Sequence, residues 1–245
     1  MELVGNSFIA KREWTHEELD FMAEFIVRDL MSTRYSVFSH PVPTDALIRL
    51  IEQDAGDLDL YSDLSGHGEN VIGFTYIYKD MRPEVFIAKD LSEEPKREHE
   101  LRRTLAHEYG HVKLHSRLLD TACLAYQFGL ADAGNKSTLT CKLTASHYHG
   151  DDWQEQQAEY FAGGLLMPIS LLDDVVQSCN PRRGHYRPLS VHKNRTKTFI
   201  RKVAKSFNVS AEFARERLMA LAYIRESSVV SKDRSGYIQT TLFRL

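Results

Sequence analysis

The chain has 245 residues, 42% of them hydrophobic and 27% charged, and a formal net charge of −3. This is the composition of a globular protein with material for a real core, and it excludes a disordered, collagen-like or wholly membrane-embedded chain. No apolar run reaches the roughly 18 residues a spanning helix needs, and the N-terminal stretch lacks the apolar core and cleavage site of a secretory signal, so the expectation is a cytoplasmic protein without a membrane segment.

Leu19, Met22, Ala23, Ile26, Val27 and Leu30 recur at helical spacing, which predicts a helix over 13–33. His40-Pro41-Val42-Pro43 breaks it. Thr44 suits the N-cap of a second helix with Ala46, Leu47, Leu50 and Ile51 on one face, ended by Gly56. Six acidic residues and no Lys or Arg lie between Glu52 and Glu69. Leu58 and Leu60, then Val71 to Tyr78 and Pro83 to Ala88, read as strands, the last two joined by a turn over 79–82. Ser92 is placed to cap a long helix running to 115, with Pro95 tolerated in its first turn. Residues 118–150 are weakly patterned. A second strong helix spans about 152–167 and stops at Pro168.

Pro181 and Gly184 mark a boundary. Beyond it the pattern predicts a helix over 194–207, a turn at Asn208-Val209, and a helix capped by Ser210 that runs to about 224. The tail from Tyr237 to Leu245 has strand-like content. Nine Lys or Arg and no acid lie between Arg182 and Lys205. Such a stretch is a solvated face or a surface for phosphates or an acidic partner. The turn near Phe207-Asn208-Val209-Ser210 is read as two packed helices before it is read as a DNA-binding unit.

The chemistry concentrates in His107-Glu108-Tyr109-Gly110-His111, an HExxH on the predicted long helix. Residues one turn apart share a face, so both imidazoles can reach one ion, and a helical spacing supplies two corners of a tetrahedral zinc site. Glu108 is rotated off that pair, where it can take a proton from an activated water and deliver it to a leaving amine. Two solvated histidines on a polar helix face would give the same motif, but Leu105, Ala106, Val112 and Leu114 make the flanks apolar. His115 lies about 12 Å along the axis from His107 and cannot share one ion with it. Leu114 and Arg117 stand where the long metzincin motif needs Gly and His.

A third ligand is available on the second helix, where Glu155 and Glu159 share a face beside the stripe Ala158, Phe161, Ala162 and Leu165. Like charges at that spacing disfavour a bare helix. A metal would relieve the conflict, with Glu155 as ligand and Glu159 accepting the outer N–H of a ligating histidine. An amphipathic helix with solvent-facing glutamates fits these residues equally well.

Thr104-Leu105-Ala106-His107-Glu108-Tyr109-Gly110-His111, followed by Leu114-His115, resembles the signature of the ImmA/IrrE family of metallopeptidases. So does Glu155-x-x-Ala158-x-Tyr160-Phe161-Ala162 ending in Leu165-Leu166-Met167-Pro168. The likeness covers about residues 40–170 and continues more loosely through Phe207, Val209-Ser210 and Arg217-Leu218. It implies an α+β, zincin-like fold, with an active-site helix on a small sheet and a mostly helical C-terminal region. It implies metal ligands at His107, His111 and Glu155, a base at Glu108, and action on transcriptional repressors. Arg103 stands where that family usually has Phe, and Glu159 where it has Asn or Asp.

The 43 residues between His111 and Glu155 exceed the family's usual spacing, which suggests an insertion at about 118–150 acting as a lid or recognition loop. It carries Cys123, Cys141, His147 and His149. With Cys179 these make three cysteines and no CxxC, which reads as reduced thiols rather than a disulfide framework. Tyr126, His147, Tyr148 or His149 could donate to the oxyanion formed when water attacks an amide.

The expected organisation is an N-terminal helical segment (1–40), a zincin-like metallopeptidase domain (41–180) and a helical region (181–245). The expected function is a metalloendopeptidase using Zn2+, with Mn2+ or Fe2+ also suited to two His and one carboxylate. Its substrate would be a protein, such as a DNA-binding repressor. The rivals are a non-proteolytic metal-binding regulator and a DNA-binding regulator using the C-terminal helices.

Overall fold

Strand β4 (Val71–Tyr78) is almost continuously apolar, and it is buried from Val71 to Thr75, with a long helix packed against it. The computed structural model describes residues 2–4, 7–9, 14–68, 70–78, 81–117, 138–144, 153–179 and 188–226. Before β4 come a short antiparallel pair, β1 (Glu2–Val4) and β2 (Ser7–Ile9), helices α1 (His16–Tyr35) and α2 (Thr44–Asp54), and strand β3 (Asp57–Ser62). After it come β5 (Glu84–Ala88), a single turn α3 (Lys89–Ser92), and the long helix α4 (Glu98–His115). Strand β6 (Thr138–Thr144) precedes helices α5 (Trp153–Leu166) and α6 (Ile169–Cys179). The described chain ends with β7 (Leu189–Ser190), α7 (Asn194–Phe207), α8 (Ala211–Ala220) and β8 (Ile224–Arg225), where β7 and β8 pair in parallel.

The main sheet has the order β3-β5-β4-β6. β3 runs parallel to β5, and β4 runs antiparallel to both β5 and β6. This is the α+β arrangement expected from the sequence, with α4 laid on a small mixed sheet. The α4 side of β4 is packed by Thr104 and Glu108, and Gly73 makes room for them. A Cβ at Gly73 would overlap Glu108 Oε1 and come within 2.7 Å of Thr104 Cγ2.

Two polar bolts hold α4 in place, and a third ties α1, α5 and α8 together. Tyr109 Oη donates to Asp54 at 2.7 Å, tying α4 to α2. Arg102 is 1% exposed and donates to Thr44 Oγ1 and to the carbonyls of Phe207 and Asn208. It thereby caps the C-terminal end of α7 with a cation, the favourable sign for that end of a helix dipole. Farther out, Arg217 of α8 pairs with Asp20 of α1 at 2.5 Å, and Tyr160 of α5 donates to the same carboxyl. Between these bolts the core is apolar: Leu105, Phe161, Leu165, Phe207 and Leu218 are fully buried, each contributing about 1.5–3 kcal/mol by transfer from water.

Three local readings of the sequence are corrected. Ser92 does not cap the long helix; it ends α3, and its hydroxyl donates to the carbonyls of Leu60 and Lys89. Pro95 starts a separate 3-10 turn (Pro95–Arg97) capped by Glu94, so α4 begins only at Glu98. Thr44 is the first residue of α2, with Pro43 at the N-cap, and its hydroxyl serves Glu98 and Arg102 instead. Pro168 ends α5 as the sequence predicts, and a helix the pattern did not show, α6, follows at once, burying Leu171, Leu172, Val175 and Val176.

The last helix stops at Ala220, not near 224, because Ala222 adopts a left-handed φ of 56°. The amides of Ala222 and Tyr223 turn back to the carbonyls of Met219 and Leu218 and satisfy the helix end. The weakly patterned stretch also contains β6, whose backbone pairs with β4 from Val71 to Tyr78. Cys123, Tyr126, His147, Tyr148, His149 and the tail from Tyr237 to Leu245 lie outside the described residues. Among the described residues no helix is long and apolar enough to cross a membrane.

Candidate metal centre

Helices α4 and α5 run antiparallel, and their facing residues form a ladder. Arg103, His107 and His111 follow one another at one-turn spacing on α4, opposite Glu159 and Glu155 on α5. His107 Nε2 is 2.9 Å from Glu155 Oε2, His111 Nε2 is 3.4 Å from Glu155 Oε1, and the two Nε2 atoms are 3.0 Å apart. Bonds of zinc length at tetrahedral angles put neighbouring ligand atoms roughly 3.3 Å apart, so this triangle has the size of a metal's ligand face. These three residues form a group whose ligand atoms all lie within 4.8 Å of one another.

The solvated-histidine alternative fails on burial, since His107 is 1% and His111 0% exposed. The solvent-facing alternative for the glutamates fails as well: both carboxylates point at α4. The close approach needed for this is permitted by Gly110, where a Cβ would lie 3.0 Å from Ala158 Cα on α5. Two imidazoles and a carboxylate converging in a buried pocket are a donor set that fits a divalent ion.

The outer atoms of the triad are also held. His107 Nδ1 lies 3.0 Å from Glu159 Oε2, the position in which a ring N–H donates to a carboxylate. The longer arm of Glu159 therefore reaches. His111 Nδ1 lies 3.0 Å from His115 Nδ1, and His115 Nε2 is 3.3 Å from Gln157 Oε1. His115, too distant along the axis to share an ion with His107, thus serves His111 from behind. Burial and the neighbouring His111 push its pKa down to about 3, so it is a neutral ring that accepts at Nδ1 and donates at Nε2.

Charges in the cluster are strongly coupled. Burial opposes a proton on His107, but the hydrogen bonds and charges of Glu155 and Glu159 outweigh it and raise its pKa to about 10. Burial would raise Glu155 too, yet the attraction of His111 and the bonds from both rings hold it well below the usual carboxylate range.

Glu108 is fully buried on the opposite flank of α4 from α5, against the sheet. Thr75 Oγ1 on β4 donates to its Oε2 at 2.5 Å. Its Oε1 has no partner among the described residues. Burial raises its pKa, opposed by the charges of His111 and His107 and by the Thr75 bond. A buried carboxylate with one anchored and one unpartnered oxygen, and a pKa raised by burial, is suited to receive and return a proton.

Sequence reasoning did not find Thr75, which lies 33 positions from Glu108 in an apolar strand and carries no local signal. It noted Arg103 and Glu159 as separate departures from a pattern. The structure pairs them: Arg103 Nε and Nη2 lie 2.8 and 2.6 Å from Glu159 Oε1.

Residues 51–219 match the model of a peptidase family described as the IrrE N-terminal-like domain, which covers well over half of the chain and all of the ladder. No curated protein matches the chain.

Proposed function

Given that the chain belongs to the IrrE N-terminal-like peptidase family, we propose that it is a metal-dependent endopeptidase acting on a protein substrate. The observation that carries this reading is the convergence of His107, His111 and Glu155 next to the buried, half-anchored Glu108. His107 and His111 would hold the ion through Nε2 and Glu155 through its carboxylate, with Glu159 outside the first ring of ligands. Zn2+ suits this set, as do Mn2+ and Fe2+. When bound, such an ion polarises a scissile carbonyl and makes water a nucleophile near neutral pH.

The chain's own contribution is proton handling and orientation. Thr75 fixes Glu108 by Oε2, leaving Oε1 to take a proton from the attacking water and pass it to the departing amine. His115 and Glu159 keep the two ligating rings from rotating. The substrate class suggested by the family resemblance is a DNA-binding transcriptional repressor, and a cytoplasmic setting suits it. The exposed cations Lys197, Arg201, Lys202 and Lys205 on α7 support docking of an acidic partner. They support direct reading of DNA bases less well, because α8, the second helix of the pair, brings Glu212 and Glu216.

The test compares newly formed protein N-termini in a native lysate treated with wild-type protein or with Glu108→Gln, with bound metal measured in both. New termini confined to the wild type, and metal retained by both, are expected. Identical terminus profiles would overturn the peptidase reading in favour of a metal-binding regulator.

A further inference from the structure

Arg103 stands at the junction of three helices. Its Nε and Nη2 both address Glu159 Oε1 on α5, at 2.8 and 2.6 Å. The same Nη2 is 3.6 Å from Glu216 Oε2 on α8, and the guanidinium lies 4.9 Å from the Phe213 ring centre. The side chain is thus held from two sides by a second carboxylate and an aromatic face. The two oxygens of Glu159 are divided between different tasks, Oε1 for Arg103 and Oε2 for His107 Nδ1 at 3.0 Å.

We propose that Arg103 is a positioning residue for the metal centre: it clamps Glu159 so that the remaining oxygen orients the His107 ring, and it links that ring to α8. The inference rests on the proposed metal site at His107, His111 and Glu155. A glutamate has three rotatable bonds and a charge that favours water or a cation. Without a clamp, a carboxylate this close to a metal pocket can turn outward to solvent or inward to compete as a ligand. Two donors on one oxygen remove both choices. Arg103 and His107 are one turn apart on α4, so the clamp and the ring it steadies move together with one rigid helix.

The sign of the effect separates positioning from mere proximity of charge. A guanidinium acting only through its charge would repel a divalent cation, and its removal would tighten metal binding. A guanidinium that positions an outer hydrogen bond would, on removal, weaken it.

The experiment measures Zn2+ affinity of the full chain by competition with a chromogenic chelator. Arg103→Met keeps the alkyl stem over Phe213 and is expected to weaken Zn2+ binding about tenfold, the lower end of the usual cost of losing an outer partner of a ligating histidine. Arg103→Gln gives the same reading should Arg103→Met fail to fold. Arg103→Lys, which restores a donor but not the fork, is expected to stay within roughly threefold of wild type. In a Glu159→Ala background the Arg103→Met change is expected to alter affinity by less than about twofold, since the clamp then has no acceptor to hold. Unchanged or tighter Zn2+ binding by Arg103→Met, or an equal loss in both backgrounds, overturns the proposal. Glu155→Ala and His111→Ala serve as controls for the site itself. If they bind Zn2+ as tightly as wild type, the metal-site reading falls, and the proposal with it.

Discussion

Gly110 of α4 lies against the backbone of Ala158 on α5, so close that a Cβ would sit 3.0 Å from Ala158 Cα and 3.1 Å from its carbonyl oxygen. This contact sets the separation at which Glu155 reaches both His107 and His111. Gly110→Ala gains about 1 kcal/mol of helix propensity but must push two backbones apart, an overpacking cost of about 1–3 kcal/mol. A net destabilisation on the order of 1 kcal/mol is expected in chemical denaturation. The same variant should lose Zn2+ affinity more than tenfold in chelator competition, because the ligand triangle opens. Wild-type affinity would show that the helix spacing does not govern the site.

Thr75 supplies the single hydrogen bond that Glu108 accepts among the described residues, and that bond lowers the carboxyl's pKa against the upward push of burial. Thr75→Val keeps the shape and removes the donor. The Glu108 pKa then rises further, so the base form is reached only at higher pH. The acid limb of the kcat/KM profile for peptide hydrolysis should move to higher pH, while Zn2+ affinity stays near that of wild type.

Metal loading should be proton-linked. In chelated protein the proton on His107 is stabilised by Glu155 and Glu159, with its pKa raised from 6.5 to about 10. A raised folded-state pKa contributes stability that is complete below about 6.5 and is lost as pH rises through about 10. Thermal melts of the chelated protein should therefore decline across that window. Zn2+ must displace the proton, so its apparent affinity should increase over the same range. Calorimetric titrations in buffers of different ionisation enthalpy check the proton release directly.

The end of α8 offers a stability test remote from the site. Ala222 holds a φ of 56°, a left-handed conformation in which a side chain costs about 1–2 kcal/mol and glycine nothing. Ala222→Gly should raise stability by about 0.5–1 kcal/mol, the unfolded-state entropy of glycine taking back part of the gain. Denaturant midpoints would show it, and Zn2+ affinity should not change.

What the sequence by itself determined is what lies within a few residues of chain. The period of apolar side chains located α1, α4, α5 and α7, and runs of β-branched and aromatic residues located β4 and β5, because both signals are carried by neighbours in the chain. The one-turn spacing in HExxH put His107 and His111 on one face, and the same spacing put Glu155 beside Glu159. Local rules failed where a neighbour far along the chain took over a side chain. Thr44 and Ser92 have the chemistry of caps but serve Arg102 and the Leu60 carbonyl. The tertiary structure alone decided that α5 faces α4 across Gly110, that Thr75 anchors Glu108, that His115 stands behind His111, and that Arg103 and Glu159 answer one another. The first is a packing contact, and the last three are pairings of polar groups 4 to 56 residues apart whose energy exists only once burial removes water from both. No period in the chain encodes it.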